Sequence, residues 1–201
     1  MTSENIFGFP VYIGHIARHE EILEDFNKVV NDDDFFEIVE SWNCNVRSSM
    51  YSKLNKIIPY HVLLDDLNDH VNKFIKELHP KKLIEHNIHN IWCNKYEQGE
   101  YQEIHNHISP KCHLSFSYML KLPKDSGDFL LKNPIYDKWP TNDFDKMFEL
   151  EYTEYYKPEL EQGSIVIFPS WADHLATPNR SNESRVTIAG NIGITTPINT
   201  Q

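Results

Sequence analysis

From about Asn87 to Ile194 the chain breaks into short segments that alternate apolar or aromatic with polar residues, with turn residues between them. This texture limits the fold most strongly, because a period of two sends successive side chains to opposite faces of a strand. Strands are expected near Ile91–Tyr96, Tyr101–Ile108, His113–Leu122, Phe129–Lys132, Tyr155–Leu160, Ser164–Phe168, His174–Pro178 and Arg185–Ile194. Gly99, Pro123–Gly127, Gln162-Gly163 and Asn179–Glu183 punctuate them. Short strands in this number predict a jelly roll or small barrel. Asn133–Phe148 is polar and aromatic without a period, and reads as a long loop over one mouth of the sheets.

The first half has a different period. In His19–Val30, Ile22, Leu23, Phe26, Val29 and Val30 recur at helical spacing. Asn31–Asp34 offers N-cap residues for a second helix carrying Phe35, Phe36, Ile38, Val39 and Trp42. After Pro59, a stripe of Leu63, Leu64, Leu67, Val71, Phe74, Ile75 and Leu78 predicts a third, which His79-Pro80 closes. Helices followed by strands predict helices packed on the outside of the sheets. A single domain over residues 1–201 is expected, with residues 1–88 mostly helical and 89–195 forming the β core.

Composition excludes several classes. The formal charge of −11 gives no broad attraction for phosphate backbones, so nucleic acid is not an expected partner. No stretch approaches the length of a membrane span, and Met1–Pro10 lacks a secretory pattern. Cys44, Cys93 and Cys112 are odd in number and widely spaced, which suits reduced thiols in a cytoplasmic protein better than a disulfide framework.

The chemistry concentrates in Gly99-Glu100-Tyr101-Gln102-Glu103-Ile104-His105-Asn106-His107. On a regular strand His105 and His107 project side by side, with Glu103 on the same face. Two imidazoles held this way can chelate one divalent metal. His174 follows the strand Ser164–Phe168 and a Pro-Ser turn, and is the candidate for a further ligand. Eleven residues later Arg185 opens an otherwise apolar strand. A buried guanidinium needs an anion, and its planar fork suits a carboxylate. Singly, each feature has a plainer explanation: a surface His-x-His pair, a polar loop histidine, an arginine paired with a structural acid. Order, spacing and strand context together favour a metal site. His61, His70, His79, His86, His89 and His113 lie in helical or connecting sequence, or at a strand start, and read as structural or solvated.

These residues carry a resemblance. Tyr96-x-x-Gly99, His105-x-His107, Gly163-x-x-x-x-Phe168-Pro169, His174 and Arg185 resemble the 2-oxoglutarate- and iron(II)-dependent dioxygenases. The Gly99-to-His105 spacing is similar to the prolyl 4-hydroxylase branch. Phe168-Pro169-Ser170 before His174, Asn191 after Arg185, and the stretches Ile6–Val11 and Trp42…Ser48-Ser49 look more like bacterial and phage members of the superfamily. The resemblance spans about residues 91–194 and implies a double-stranded β-helix with the metal between two sheets. It implies that His105 and His174 bind iron and that Arg185 binds the distal carboxylate of 2-oxoglutarate. Thr187 would assist Arg185, Tyr118 would donate a further hydrogen bond, and Asn94 and Tyr96 would meet the oxoacid or the substrate. Dioxygen and a small molecule or protein side chain would be the other reactants, with hydroxylation the expected outcome. Tyr136, Trp139, Phe144 and Phe148 would cap the substrate, or pack on a sheet edge.

One position departs from the superfamily pattern, which pairs the first histidine with Asp or Glu two residues on. Here that position is His107. His107 would be a third histidine ligand, or Glu103 or Asp173 would supply a carboxylate, or the position would go to water or another anion. The first is preferred, with Asp173 either a turn residue or placed behind a ligand imidazole to orient it. Two other functions remain open: a three-histidine cupin-type dioxygenase that does not use 2-oxoglutarate, and a non-catalytic jelly-roll binding module.

Overall fold

The computed structural model describes residues 8–30, 33–138 and 153–196. Among the described residues eleven strands form two antiparallel sheets, with two α-helices on one outer face. In chain order they are β1 (Tyr12–His15), α1 (His19–Val29), β2 (Glu37–Ile38), β3 (Arg47–Ser48), α2 (His61–Glu77), β4 (Glu85–Tyr96), β5 (Gln102–His105), β6 (Leu114–Lys121), β7 (Phe129–Lys132), β8 (Tyr155–Tyr156), β9 (Ser164–Pro169), β10 (His174–Ala176) and β11 (Arg185–Thr195). The larger sheet runs β1-β9-β6-β11-β4-β3-β2 and the smaller β5-β10-β7-β8. This is the double-stranded β-helix arrangement, mainly β with helices in the N-terminal region, as the sequence predicts.

Each helix buries one stripe. Ile22 and Phe26 of α1, with Leu63, Leu67, Val71 and Phe74 of α2, pack on the outward residues Cys93, Phe116, Tyr118, Leu120, Ile165, Ile167 and Ile188 of the larger sheet. Leu63, Leu67 and Val71 are fully buried, and each contributes about 2 kcal/mol through removal from water. The Arg18 guanidinium joins the two helices, donating to the Asp66 carboxylate and the Val62 carbonyl. Beyond Glu77, Leu78 closes the helix through its backbone N–H, and His79 turns the chain at φ 52° before Pro80. A second apolar cluster, centred on Met119, Leu131, Val166 and Phe168, lies between the sheets.

The long pairing of β4 with β11 forms the floor of the space between the sheets. Its register sets Arg185 against Tyr96, Thr187 against Asn94 and Ala189 against Trp92. Directly opposed residues share a face, so these six side chains line the interior while Cys93, Val186 and Ile188 face the helices.

The sequence misreads several boundaries. No helix forms after Asp34: one 3-10 turn, Asp33–Phe35, leads into β2, which pairs with β3 at the edge of the larger sheet. Phe35 and Val39 are buried there, but Ile38 is exposed, so the apolar residues do not share one helical face. Strands β1, β2 and β3, from the predicted helical half, all join the larger sheet, and are too short to show a period. β4 begins at Glu85, because pairing with β11 extends it through polar residues that alternation does not mark. β8 stops at Tyr156, two residues before Pro158. Of the expected loop aromatics, Trp139, Phe144 and Phe148 lie outside the described residues, while Tyr136 lies in the turn after β7.

Candidate metal centre

His105 ends β5 and His174 begins β10, and the two are direct cross-strand partners. Their rings approach to 4.2 Å between centroids. His107 lies just past β5, where its backbone N–H donates to the Ser170 carbonyl at 2.8 Å. That bond swings its imidazole over the pair, so that its Nε2 sits 3.3 Å from His174 Nε2. The three ligand nitrogens lie within 4.8 Å of one another, the one such group among the described residues. Phe168 and Phe129 wall His174, and Trp92 lies over His107.

Two backbone carbonyls define the tautomers. His105 Nδ1 lies 2.8 Å from the Glu103 oxygen and His174 Nδ1 lies 2.9 Å from the Ala172 oxygen. A carbonyl only accepts, so each Nδ1 carries the proton and each Nε2 presents a lone pair inward. Burial is the main force lowering the pKa of all three imidazoles; His107 falls to about 4, with the neighbouring His105 adding to the effect. The rings are therefore neutral at physiological pH, the form that binds a metal.

The donor set fits a divalent transition metal. Metal–nitrogen bonds of about 2.1 Å place adjacent ligands roughly 3.0–3.4 Å apart, and the closest nitrogen pair already has that spacing. The inward Nε2 lone pairs of His105 and His174, with the His107 Nε2 beside them, present the donors a cation needs. Imidazole suits iron among other metals.

Among the described residues no carboxylate joins the group. β5 is irregular between Gln102 and His105, so the expected parity fails: Gln102 turns inward with His105, while a Glu103 oxygen accepts from the Asn43 backbone N–H at 3.0 Å. Asp173 accepts from Asn106 Nδ2 at 2.8 Å.

Arg185 is 2 % exposed. Its guanidinium lies 4.1 Å from the Tyr96 ring centroid, and Nη1 donates to the Ser126 carbonyl at 3.1 Å. Nε is buried without a partner, and no carboxylate among the described residues forms a salt bridge with this side chain. Nearby, Asn94 Oδ1 and Trp92 Nε1 are also buried and unpartnered. Unmet buried polar groups cost about 1–3 kcal/mol each, so such a concentration marks a place where a ligand would satisfy them. Arg185, Thr187 and Tyr96 line a cavity of about 700 Å³. It shares Tyr96, Ser117, Phe129, Ala176 and Thr187 with a smaller space of about 30 Å³ bordered by the three histidines.

The structure thus gathers His105, His107, His174, Arg185, Thr187, Asn94 and Tyr96 around one interior, and leaves Tyr118 outside it. Tyr118 opposes Ile188 and Ile165, which face the helices, and its hydroxyl bonds to His19 Nδ1 at 2.6 Å. Its neighbours Ser117 and Met119 face inward instead. Trp92, Ser117, Gln102, Ser126 and Phe129 also border this interior or bond to Arg185 and were not expected there. Strand parity could have found Trp92, two residues before Asn94 on the same face. For Gln102, parity pointed the wrong way.

Two antiparallel sheets enclosing convergent histidines define a double-stranded β-helix protein with a candidate metal centre. Residues 90–191, about half of the chain, match the profile of the 2OG-Fe(II) oxygenases, and the chain belongs to that family of oxidoreductases. A Pseudomonas putida prolyl-4-hydroxylase has a similar fold at 12 % identity, with 92 % of each chain covered and a TM-score of 0.58. HygX from Streptomyces hygroscopicus, solved with nickel and 2-oxoglutarate bound, is similar at 8 % identity over 92 % of this chain and 83 % of its own, with a TM-score of 0.59. The viral collagen prolyl hydroxylase of Paramecium Bursaria Chlorella virus-1 is similar at 13 % identity over 90 % of this chain and 94 % of its own, at 0.54. No curated protein sequence matches the chain. At these identities the solved structures establish the fold alone. No helix among the described residues is long and apolar enough to cross a membrane.

Proposed function

We propose that this protein is a 2-oxoglutarate- and iron(II)-dependent oxygenase that acts as a hydroxylase. The observation that carries the proposal is Arg185, a buried guanidinium without an acid partner among the described residues, lining a cavity that shares five of its residues with the space bordered by the histidines. A dianionic oxoacid would satisfy both ends at once.

His105, His107 and His174 would hold the metal through Nε2, with the Glu103 and Ala172 carbonyls fixing two of the rings. Arg185 would bind the distal carboxylate of 2-oxoglutarate, and the Thr187 hydroxyl would assist it. The unpartnered Asn94 amide oxygen would accept from an N–H or O–H group of the substrate. Phe129, Phe168 and Trp92 would exclude water around the imidazoles. Iron(II) with the bound oxoacid supplies the chemistry: 2-oxoglutarate and dioxygen give succinate and carbon dioxide, and one oxygen atom goes to the substrate. HygX has been solved with hygromycin B bound, and other similar structures are prolyl hydroxylases, so small molecules and protein side chains are both open as substrates. Three free cysteines fit a cytoplasmic setting.

The three-histidine set favours one second reading, a dioxygenase that binds a substrate carboxylate at Arg185 and uses no oxoacid. Succinate separates the two. Iron-loaded protein given 2-oxoglutarate and then oxygen is expected to form succinate, with His174→Ala and Arg185→Ala reducing it at least tenfold. Bound iron without succinate, across a panel of candidate substrates, would favour the second reading. Protein that holds no iron would overturn both and leave a non-catalytic binding module.

A further inference from the structure

The interior contains one polar side chain whose role follows from its bonds. Gln102 is 8 % exposed and lies on the same strand as His105. Its amide oxygen receives the Tyr96 hydroxyl proton at 3.0 Å and lies 3.5 Å from Asn94 Nδ2. Tyr96 is in turn the platform for Arg185, whose guanidinium stacks on its ring at 4.1 Å. Arg185 and Thr187 also lie within reach of the phenol oxygen, where their side chains oppose the strong upward push of burial on its pKa.

A phenol has one proton to give. With that proton committed to Gln102, the Tyr96 oxygen presents lone pairs to its neighbours and cannot also donate to a bound carboxylate. Orienting the hydroxyl this way makes it an acceptor for the Arg185 guanidinium, a donor only, and for the Thr187 hydroxyl, which can donate. Gln102 thereby links the strand of the metal ligands to the guanidinium through a single side chain. Nothing else among the described residues receives the Tyr96 proton.

We infer that Gln102 is a positioning residue for the oxoacid subsite: it takes the Tyr96 proton and so fixes Tyr96, and through it Arg185, in the geometry that receives the distal carboxylate. The inference rests on the reading that Arg185 binds 2-oxoglutarate. It assigns Tyr96 a supporting role through its ring and lone pairs.

The test is a double-mutant cycle on oxoacid affinity. Iron(II)-loaded protein is titrated anaerobically with 2-oxoglutarate by calorimetry, and iron(II) affinity is measured separately on each metal-free variant. Gln102→Met removes the acceptor at nearly constant volume, and Tyr96→Phe removes the hydroxyl while keeping the ring under Arg185. Each is expected to weaken 2-oxoglutarate binding about fivefold to tenfold, the loss expected for one buried hydrogen bond, with iron affinity unchanged. The double variant should bind no more weakly than either single one, because both break the same bond. Wild-type oxoacid affinity in Gln102→Met, or fully additive losses in the double variant, would overturn the inference. A parallel loss of iron affinity would also overturn it, by showing general damage to the site. Should Gln102→Met not fold, Tyr96→Phe tests the bond from its other end, and unchanged binding there is equally fatal. Arg185→Ala runs as the control: if wild type and Arg185→Ala bind the oxoacid equally, the underlying reading fails; if only wild type binds, that reading stands and Gln102 is judged alone.

Discussion

The two faces of β4 and β11 are made by alternate residues of the same two strands, yet they obey different rules. Outward, Cys93, Val186 and Ile188 meet the helices in a cluster of apolar side chains, where the buried Tyr118 hydroxyl bonds to His19 Nδ1 and His19 Nε2 is left buried without a partner. Inward, Trp92, Asn94 and Arg185 each keep a polar atom buried without a partner, a few residues from three converging imidazoles. The outer face stabilises the fold, and the inner face spends part of that stability on groups that wait for a ligand. The comparison predicts that substitutions on the two faces separate stability from chemistry.

The largest effect falls on the inner face. His174→Ala removes a ligand nitrogen and is expected to weaken iron binding by more than about 100-fold, since losing even an outer partner of a ligand costs about 10–100-fold. Metal analysis after dialysis against a weak chelator reads this, and retention of iron would break the assignment. On the outer face, Leu67→Ala should cost about 2–5 kcal/mol in denaturant unfolding while leaving succinate formed per folded molecule unchanged. A loss of activity in the folded fraction would show that the faces are not separable.

Acid should act on the inner face as well. The His107 pKa is lowered to about 4 in the fold, against about 6.5 in the unfolded chain. The unfolded state therefore binds the extra proton first as pH falls, so metal-free protein loses stability between about pH 6.5 and 4, by about 3 kcal/mol at most from this group. Iron binding should deepen the dependence, because the same nitrogen must be free of protons. Urea unfolding of the metal-free protein across that range checks the sign, and stability that is flat or rises on acidification would contradict it. The smallest effect expected is for Tyr118→Phe, which should cost about 1 kcal/mol through its bond to His19 and leave oxoacid affinity untouched. Weakened oxoacid binding there would return Tyr118 to the site.

The same alternation explains what the sequence reveals. Both sheets, two helices and the candidates His105, His174 and Arg185 are legible, because sustained periodicity and strand order project directly onto faces; His107 joins them from just past β5, not by strand parity. Tyr118 was misplaced because its parity depends on which neighbours it opposes, and those lie 47 and 70 residues away, at Ile165 and Ile188. Gln102 and Glu103 exchanged faces because an irregularity in β5 shifts the register by a residue, and nothing in Gln102–His105 marks it. The segment after Asp34 has helical composition, but pairing with β3 decides its conformation. Where local pattern suffices the sequence speaks plainly; where a distant strand sets the register it does not.

The central claim is that the imidazole group and Arg185 form one site joined by one oxoacid. Anaerobic titration of 2-oxoglutarate into metal-free and iron(II)-loaded protein tests it most directly. The account predicts binding that strengthens at least tenfold with iron in the wild type, loses that gain in His174→Ala, and is lost in Arg185→Ala even when iron is bound. Affinity that is indifferent to iron, or that survives Arg185→Ala, would contradict a single joined site.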